Sequence, residues 1–302
     1  MIILNESNLP LRTPVAMTIG FFDGVHKGHS ELLETVLEQP QPSLVYTFTR
    51  KPNVPKPLFT NAEREALMAE AGVDYYFAQN FDGRIEHESP RRFLQQLMRD
   101  FKVAVLVVGS DFRFGSGASG DVDLLEEMSG RFGYLLIVVP VVGEGRGKYS
   151  SSELRTRIRS GDLGAAREIM GRPYFIDGTV AAGSHLGSRI GFPTANISSD
   201  KLMPAYGVYA TLTRTPDGLF PSVTNVGTKP TVKHDNRVNV ETNLLDHSED
   251  LYGKPIRVYF VERLRPEQEF ASVEDLRRQI SRDAARTREL FADAPPEEFV
   301  TG

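Results

Sequence analysis

The chain has 302 residues, enough for two ordinary domains or one large one. With 40% hydrophobic and 25% charged residues it has a globular composition, and a net charge of -5 offers no basic face for nucleic acid. The absence of cysteine excludes disulfide frameworks, thiol catalysis and Cys-ligated zinc.

The opening MIILNESNLP has neither the basic start nor the long apolar run of a signal peptide. No later stretch approaches the ~18 to 20 apolar residues of a membrane helix. A cytoplasmic protein with no membrane partner is expected. The first half then alternates short apolar runs with helical patterns. Strands are expected at Val15–Gly20, Ser43–Phe48, Val73–Ala78, Val103–Gly109 and Tyr134–Pro140, and helices at Ser30–Gln39, Asn61–Ala71, Pro90–Phe101 and Asp121–Arg131. The runs VAVLVVG and YLLIVVP are apolar on both faces, as central parallel strands are. The alternation predicts a doubly wound parallel α/β sheet, with ligands at the carboxyl ends of its strands.

From about Pro173 the pattern changes. Strands at Tyr174–Ala181, Gly207–Arg214, Ser222–Val226, Val238–Asp246 and Ile256–Glu262 follow one another without long helices. Turn signals such as Thr215-Pro216-Asp217-Gly218 separate them, which predicts an antiparallel sheet or small barrel. A C-terminal helix is expected from Ser272 to about Phe291, with Ser272 as N-cap and Glu274 and Asp275 in its first turn. The expected division is a nucleotide-handling domain over residues 1–172 and a second domain over 173–302, with the boundary near Gly171-Arg172-Pro173.

Three segments of the first half carry chemistry. Gly20-Phe21-Phe22-Asp23-Gly24-Val25-His26-Lys27-Gly28-His29 follows the first expected strand and opens a helix. Its glycines permit a tight turn and close approach to a ligand, and the helix start offers free N–H groups to a phosphate. His26 and His29 add side-chain donors three residues apart. Taken alone, the pair is also compatible with an inert turn or a metal pair, although no third ligand accompanies it locally. Gly109-Ser110-Asp111-Phe112-Arg113-Phe114-Gly115 follows the VLVVG strand; an ordinary loop with an aromatic anchor is the plainer alternative. Ser150-Ser151-Ser152-Glu153-Leu154-Arg155 begins a basic helix, where hydroxyls and an arginine favour phosphate, or serine simply caps. Gly143-Glu144-Gly145-Arg146-Gly147-Lys148 imitates a P-loop but has Val142 and Tyr149 where glycine and Ser/Thr are required, so it reads as a mobile basic loop.

In the second half, Gly187-Ser188-Arg189-Ile190-Gly191-Phe192-Pro193-Thr194-Ala195-Asn196 places Thr194 and Asn196 on one face of an extended segment. Together they could act on a metal or a phosphate; a turn entering a strand is the alternative. Pro204–Tyr209, Asn225–Thr231, Val240–Asp246, Leu251–Gly253 and Leu264-Arg265 follow.

The string GxFDGxHxGH resembles the nucleotidyltransferase superfamily signature in its flavin-specific form, and Ser150–Arg155 resembles that superfamily's SSTxIR motif. The second-half segments resemble bacterial riboflavin kinase along nearly the whole domain. Together the chain resembles the two-domain bacterial riboflavin kinase/FMN adenylyltransferase family. That resemblance implies ATP-dependent conversion of riboflavin to FMN and of FMN to FAD, with Mg2+ as cofactor, ATP as co-substrate and riboflavin, FMN and FAD as ligands. It also implies roles for individual residues: His26, His29 and Arg155 in adenylyl transfer; Gly20, Phe21, Asp23, Gly24, Gly28, Asp111, Ser150, Ser151 and Ser152 around ATP and its phosphates; Phe112, Arg113 and Phe114 at the flavin. In the kinase, Gly191, Thr194 and Asn196 would bind Mg-ATP, with Thr194 at the metal, and Glu241 would be the catalytic base. One segment departs from the family's usual acidic-Pro-His-Pro: Thr47-Phe48-Thr49-Arg50-Lys51-Pro52 has Thr49 for the acidic residue and Lys51 for the histidine. Asn80–Ser89 also differs. Two alternatives therefore stand: a riboflavin kinase with a slow or altered nucleotidyltransferase domain, and a non-catalytic flavin-binding regulator.

Overall fold

A computed structural model describes residues 1–50, 52–141, 143, 149–181, 191–228, 238–247 and 249–300. The chain divides into two compact units, Met1–Ser151 and Ser152–Gly302.

The first unit is built on six parallel strands: β1 (Ile2–Leu4), β2 (Val15–Ile19), β3 (Ser43–Phe48), β4 (Tyr75–Gln79), β5 (Val103–Gly109) and β6 (Leu135–Val139). Their order is β1-β4-β3-β2-β5-β6. Between them run α1 (Lys27–Leu37), α2 (Asn61–Glu70), α3 (Gly83–Glu86), α4 (Pro90–Asp100) and α5 (Val122–Phe132). Residues of β2 explain why it is central: Val15, Met17 and Ile19 pack under Phe93, Leu94 and Leu97 of α4, while Ala16 packs on the other face with Val36 of α1. Strand order reverses beside β2, whose neighbours are β3 and β5. That reversal is the topological switch point where open α/β sheets bind ligands.

One expectation needs correction, and one strand was not foreseen. The run YLLIVVP is apolar but not central: among the described residues β6 pairs only with β5, and Leu135 and Val138 are 59% and 39% exposed. Hydrophobicity reported strand propensity there, and burial followed from sheet position. The N-terminal Ile2–Leu4, given no structure above, adds to the opposite edge beside β4.

The second unit begins with α6 (Ser151–Ser160) and α7 (Leu163–Met170). Helix α7 buries Leu163, Ala166, Ile169 and Met170 and packs on the first and last barrel strands. This seats it with the second unit, ahead of the expected Gly171-Arg172-Pro173 boundary. The barrel strands are β7 (Tyr174–Thr179), β8 (Ala195–Ser198), β9 (Gly207–Thr215), β10 (Gly218–Thr228), β11 (Val238–Leu244) and β12 (Pro255–Arg265). All pair antiparallel in the order β7-β12-β9-β10-β11-β8, and an Ala181–Asn196 bridge brings the ends of the sheet together. Helix α8 (Val273–Leu290) starts at Ser272, whose hydroxyl accepts from Asp275 N, and a short α9 (Pro296–Val300) follows.

The interior of this barrel is partly polar. Thr211, Thr213, Ser222, Thr224 and Thr242 are fully buried. Their hydroxyls close a ring: Thr211–Ser222 2.8 Å, Ser222–Thr213 2.7 Å, Thr213–Thr242 3.3 Å, Thr242–Thr224 2.8 Å and Thr224–Thr211 2.7 Å. Each hydroxyl can donate once and accept once in such a ring, so no buried group is orphaned. A one-residue slip of β9, β10 or β11 would turn its hydroxyls to the opposite face and break the ring, which pins the register.

Candidate active sites

The turn after β2 is strained. Phe22, Gly24 and Val25 have φ of 47°, 100° and 39°. Positive φ is unusual for a β-branched residue and persists only where surroundings over-determine it. Here Phe22 and Val25 are buried, and buried Asp23 accepts from Leu58 N through Oδ1 at 2.8 Å. The Ser151 hydroxyl donates to the Asp23 carbonyl at 2.5 Å, so the Ser150–Ser151 segment abuts this turn, as phosphate binding by both would require.

The turn delivers two imidazoles. His26 is the N-cap of α1 and His29 its third residue; their rings stack with centroids 3.8 Å apart. His26 N donates to His29 Nδ1 at 3.3 Å. With Nδ1 accepting, a neutral His29 carries its proton on Nε2 and remains a donor there. Gly28 leaves close room beside them: a Cβ there would lie 3.3 Å from the His26 ring.

After β5, Phe112 N donates to the Gly109 carbonyl at 2.9 Å, and a Gly109 Cβ would sit 3.0 Å from Asp111 Oδ1. Because β2 and β5 are neighbours, the two turns leave the sheet side by side. Phe112 is half-buried and stacks on Phe114 at 5.5 Å. Phe114 itself is core, bridged to Gly120 and 6.0 Å from Phe93. Arg113 pairs with Asp121, the N-cap of α5, at 2.7 Å. Backbone donation from Leu124 and this arginine hold the Asp121 carboxyl below its ordinary range.

Ser152 and the buried Arg155 lie on α6 in the second unit. Lys51 falls outside the described residues, as do residues 187–190, 229–231 and the P-loop-like stretch except Gly143. Thr49 does not face solvent idly: its hydroxyl donates to Asn80 Oδ1 at 3.3 Å.

One residue of this half went unseen in the sequence. Arg64 of α2 is 4% exposed. Its guanidinium donates to the carbonyls of Phe21 (2.7 Å) and Phe48 (2.8 Å) and to Thr47 Oγ1 (3.2 Å), and also to Asn61. It therefore clamps the carboxyl ends of β2 and β3. An arginine within a helical pattern carries no signal of this, since its acceptors are main-chain atoms remote in sequence.

In the barrel, strand register assembles the second site. Asn196 of β8 faces Glu241 of β11, and Glu241 faces Asn225 of β10. Asn196 is buried and its amide reaches toward the Thr194 carbonyl at 3.4 Å. Asn239 donates to Glu241 Oε1 at 2.6 Å and lies 3.3 Å from Asn196 Oδ1. Asn225 donates to Glu267 Oε1 at 3.4 Å, and a Cβ on Gly227 would collide with that carboxylate. The Asn243 amide donates to the Pro193 carbonyl at 2.6 Å, fixing the approach to Thr194. Beside this lies a cleft of about 390 Å³ lined by Phe192, Pro193, Leu245, His247 and Arg288 among others. Thr194, Asn196 and Glu241 each carry a side-chain oxygen, the ligand type Mg2+ prefers. Among the described residues, the cluster Asp217–His247–Glu249 is also close enough to hold a metal, but the Lys254 ammonium already contacts both carboxylates, at 3.3 and 3.7 Å. No helix among the described residues is long and apolar enough to cross a membrane.

Two family models match the chain: one described as FAD synthetase over residues 10–153 and one described as riboflavin kinase over residues 170–291. The bifunctional riboflavin kinase/FMN adenylyltransferase of Escherichia coli strain K12 is 36% identical over 294 residues, covering 93% of this chain and 94% of its own. The protein of the same description from Bacillus subtilis strain 168 is 31% identical, covering 92% of each. A crystal structure from Streptococcus pneumoniae, described as a macrolide-efflux protein, matches with a TM-score of 0.83 and 28% identity over 95% of this chain and 98% of its own. With both family halves matched in order and nearly full-length relatives above 30% identity, the chain belongs to the bifunctional riboflavin kinase/FMN adenylyltransferase family of flavin cofactor biosynthesis.

Proposed function

We propose that the two halves of flavin synthesis are divided between the sites as the residues suggest, with riboflavin phosphorylated at the barrel and FMN adenylylated at the parallel sheet. The observation that carries this reading is the register that sets Glu241 opposite Asn196, two residues from Thr194. A ribityl alcohol is protonated at neutral pH, so its attack on the γ-phosphorus of ATP is helped by a positioned base. Glu241 takes that proton as the new P–O bond forms and ADP leaves. Thr194 and Asn196 would hold Mg2+ and phosphate oxygens, and the bound ion would neutralise developing charge. The neighbouring cleft, with its apolar walls, suits a flat ring of one of the two substrates.

The other reaction needs no strong base. An FMN phosphate oxygen attacks the α-phosphorus of ATP and pyrophosphate leaves, so alignment and charge neutralisation dominate. His26, His29, the start of α1 and the Ser150–Ser151 segment serve the phosphates; Ser152 and Arg155 are assigned to the same chemistry by the resemblance of Ser150–Arg155 to the family motif. Phe112 and Asp111 are the better candidates for substrate contact after β5; Phe114 and Arg113 act through the loop they brace. Gly20, Phe21, Asp23, Gly24 and Gly28 shape the turn. The enzyme works in the cytoplasm with ATP and Mg2+, and its partners are riboflavin, FMN and FAD.

The test is a time course of flavins resolved by chromatography, with riboflavin, ATP and magnesium supplied. FMN appearing first and FAD following is the expected result. In Glu241→Gln, FMN formation should fall about 100- to 10,000-fold, leaving a residual rate, while added FMN is still converted to FAD. Retention of full riboflavin phosphorylation in that variant would overturn the kinase assignment, and FMN accumulating alone in the unaltered protein would overturn the adenylyltransferase assignment.

A further inference from the structure

We propose that Asn239 is a positioning residue for phosphoryl transfer, holding Glu241 in the orientation from which it accepts the substrate proton and tying it to Asn196. This rests on the kinase reading above. Asn239 and Glu241 are two apart on β11, so both side chains project from one face. A primary amide carries two N–H groups. One donates to Glu241 Oε1 at 2.6 Å, and the other is available to Asn196 Oδ1 at 3.3 Å. A single side chain thus links the candidate base to the candidate Mg-ATP residue.

The surroundings make this link specific. Opposite Glu241 on β10 stands Asn225, a potential competing donor, but its amide is directed to Glu267. Among the described residues, Asn239 is the one side chain within hydrogen-bond distance of the Glu241 carboxylate. Opposite Asn239 on β10 stands Gly227, which contributes no side chain that could displace the amide, and on β8 stands Ser198, which is exposed. A glutamate on a strand has three side-chain torsions, and its last is broad. With Oε1 engaged, the carboxylate is held and Oε2 is left for the riboflavin hydroxyl. Orientation of this kind matters because a misplacement of about 1 Å can cost on the order of 100-fold in rate.

The experiment is a double-mutant cycle on riboflavin phosphorylation by the full chain, with FMN adenylylation followed in the same preparations as an internal control. Asn239→Ala should lower kcat about 10- to 100-fold, the range seen when partners that orient a functional ligand are removed. The KM for riboflavin should change far less, and adenylylation should be retained. Asn239→Asp keeps the volume but removes both N–H donors, and kcat should fall at least as far. In a Glu241→Gln background, Asn239→Ala should add little, because its effect passes through Glu241. A kcat within about twofold of the unaltered enzyme in both Asn239 variants would overturn the proposal, as would a full additive loss in the Glu241→Gln background. If Glu241→Gln itself phosphorylates riboflavin normally, the kinase reading fails instead, so the two failures are distinguishable.

Discussion

The two halves build phosphate chemistry by opposite means. In the parallel sheet the two candidate imidazoles come from one short segment: a strand ends, a strained turn follows, and His26 and His29 emerge one helical turn apart. In the barrel they are scattered over about 50 residues, and pairing alone brings Asn196, Asn239 and Glu241 together. The first site depends on local backbone conformation and the second on register. The supporting cores differ to match. The sheet is backed by aromatic and aliphatic packing, whereas β9, β10 and β11 are aligned by five buried hydroxyls.

The strongest way to break this comparison is to cross the sites. His29→Ala should reduce FMN adenylylation about 100- to 1,000-fold, the cost of losing one donor to a developing charge, and leave riboflavin phosphorylation intact. Together with the Glu241→Gln time course it forms a reciprocal pair, and loss of both activities in either well-folded variant would contradict the division of labour.

Next come residues that hold each scaffold. Asp283 of α8 is buried and pairs with Arg265 at the end of β12 at 2.9 Å. Asp283→Ala leaves a guanidinium poorly compensated in a half-apolar seam and should cost about 3–5 kcal/mol in a denaturant titration. The helix otherwise rests on Val208, Val223, Leu245 and Leu264 through Ala284, so a smaller cost would mean that apolar seating dominates. Arg64→Met tests the sheet half. It would remove the guanidinium donor from the Phe48 carbonyl and leave the Phe21 carbonyl with the Thr47 hydroxyl at 3.2 Å, at about 1–3 kcal/mol for such a loss. Adenylylation should weaken, through turn placement, more than phosphorylation.

The smallest effect is expected at the surface. Asp121 has a carboxyl held low in the folded chain, so its contribution is present above the ordinary carboxylate range and fades as pH falls through its depressed value. Arg113→Met should shrink that acid-side contribution, seen as a slightly shallower fall of thermal stability with falling pH. An accompanying large rise in the KM for FMN would show that Arg113 touches the flavin as well as bracing α5.

Much of this was legible in advance. Periodicity located β2, β3, β5 and α2 closely, because a strand apolar on both faces and a capped amphipathic helix declare themselves locally. The glycine and histidine turn was legible for the same reason. β6 misled, since Leu135 and Val138 look like core until the sheet order makes them an edge. β8 was read only as an extended segment, being four residues long and stabilised by its partner β11.

The amino-acid sequence by itself determined the two-part architecture, the tight glycine turn that presents His26 and His29, and the shared face of Thr194 and Asn196, each encoded within a few residues through backbone preference or alternation. Glu241 became a candidate only through the resemblance to the family, since alternation alone makes it an ordinary strand residue. Only the tertiary structure decided that Arg64 clamps the ends of two strands, that Phe114 and Arg113 brace a loop, and that Asn239 is the donor on Glu241. These depend on hydrogen-bond partners distant in sequence or on the choice among several equally polar neighbours. Alternation can place a side chain on a face of a strand, but only the packed sheet selects which atom meets it.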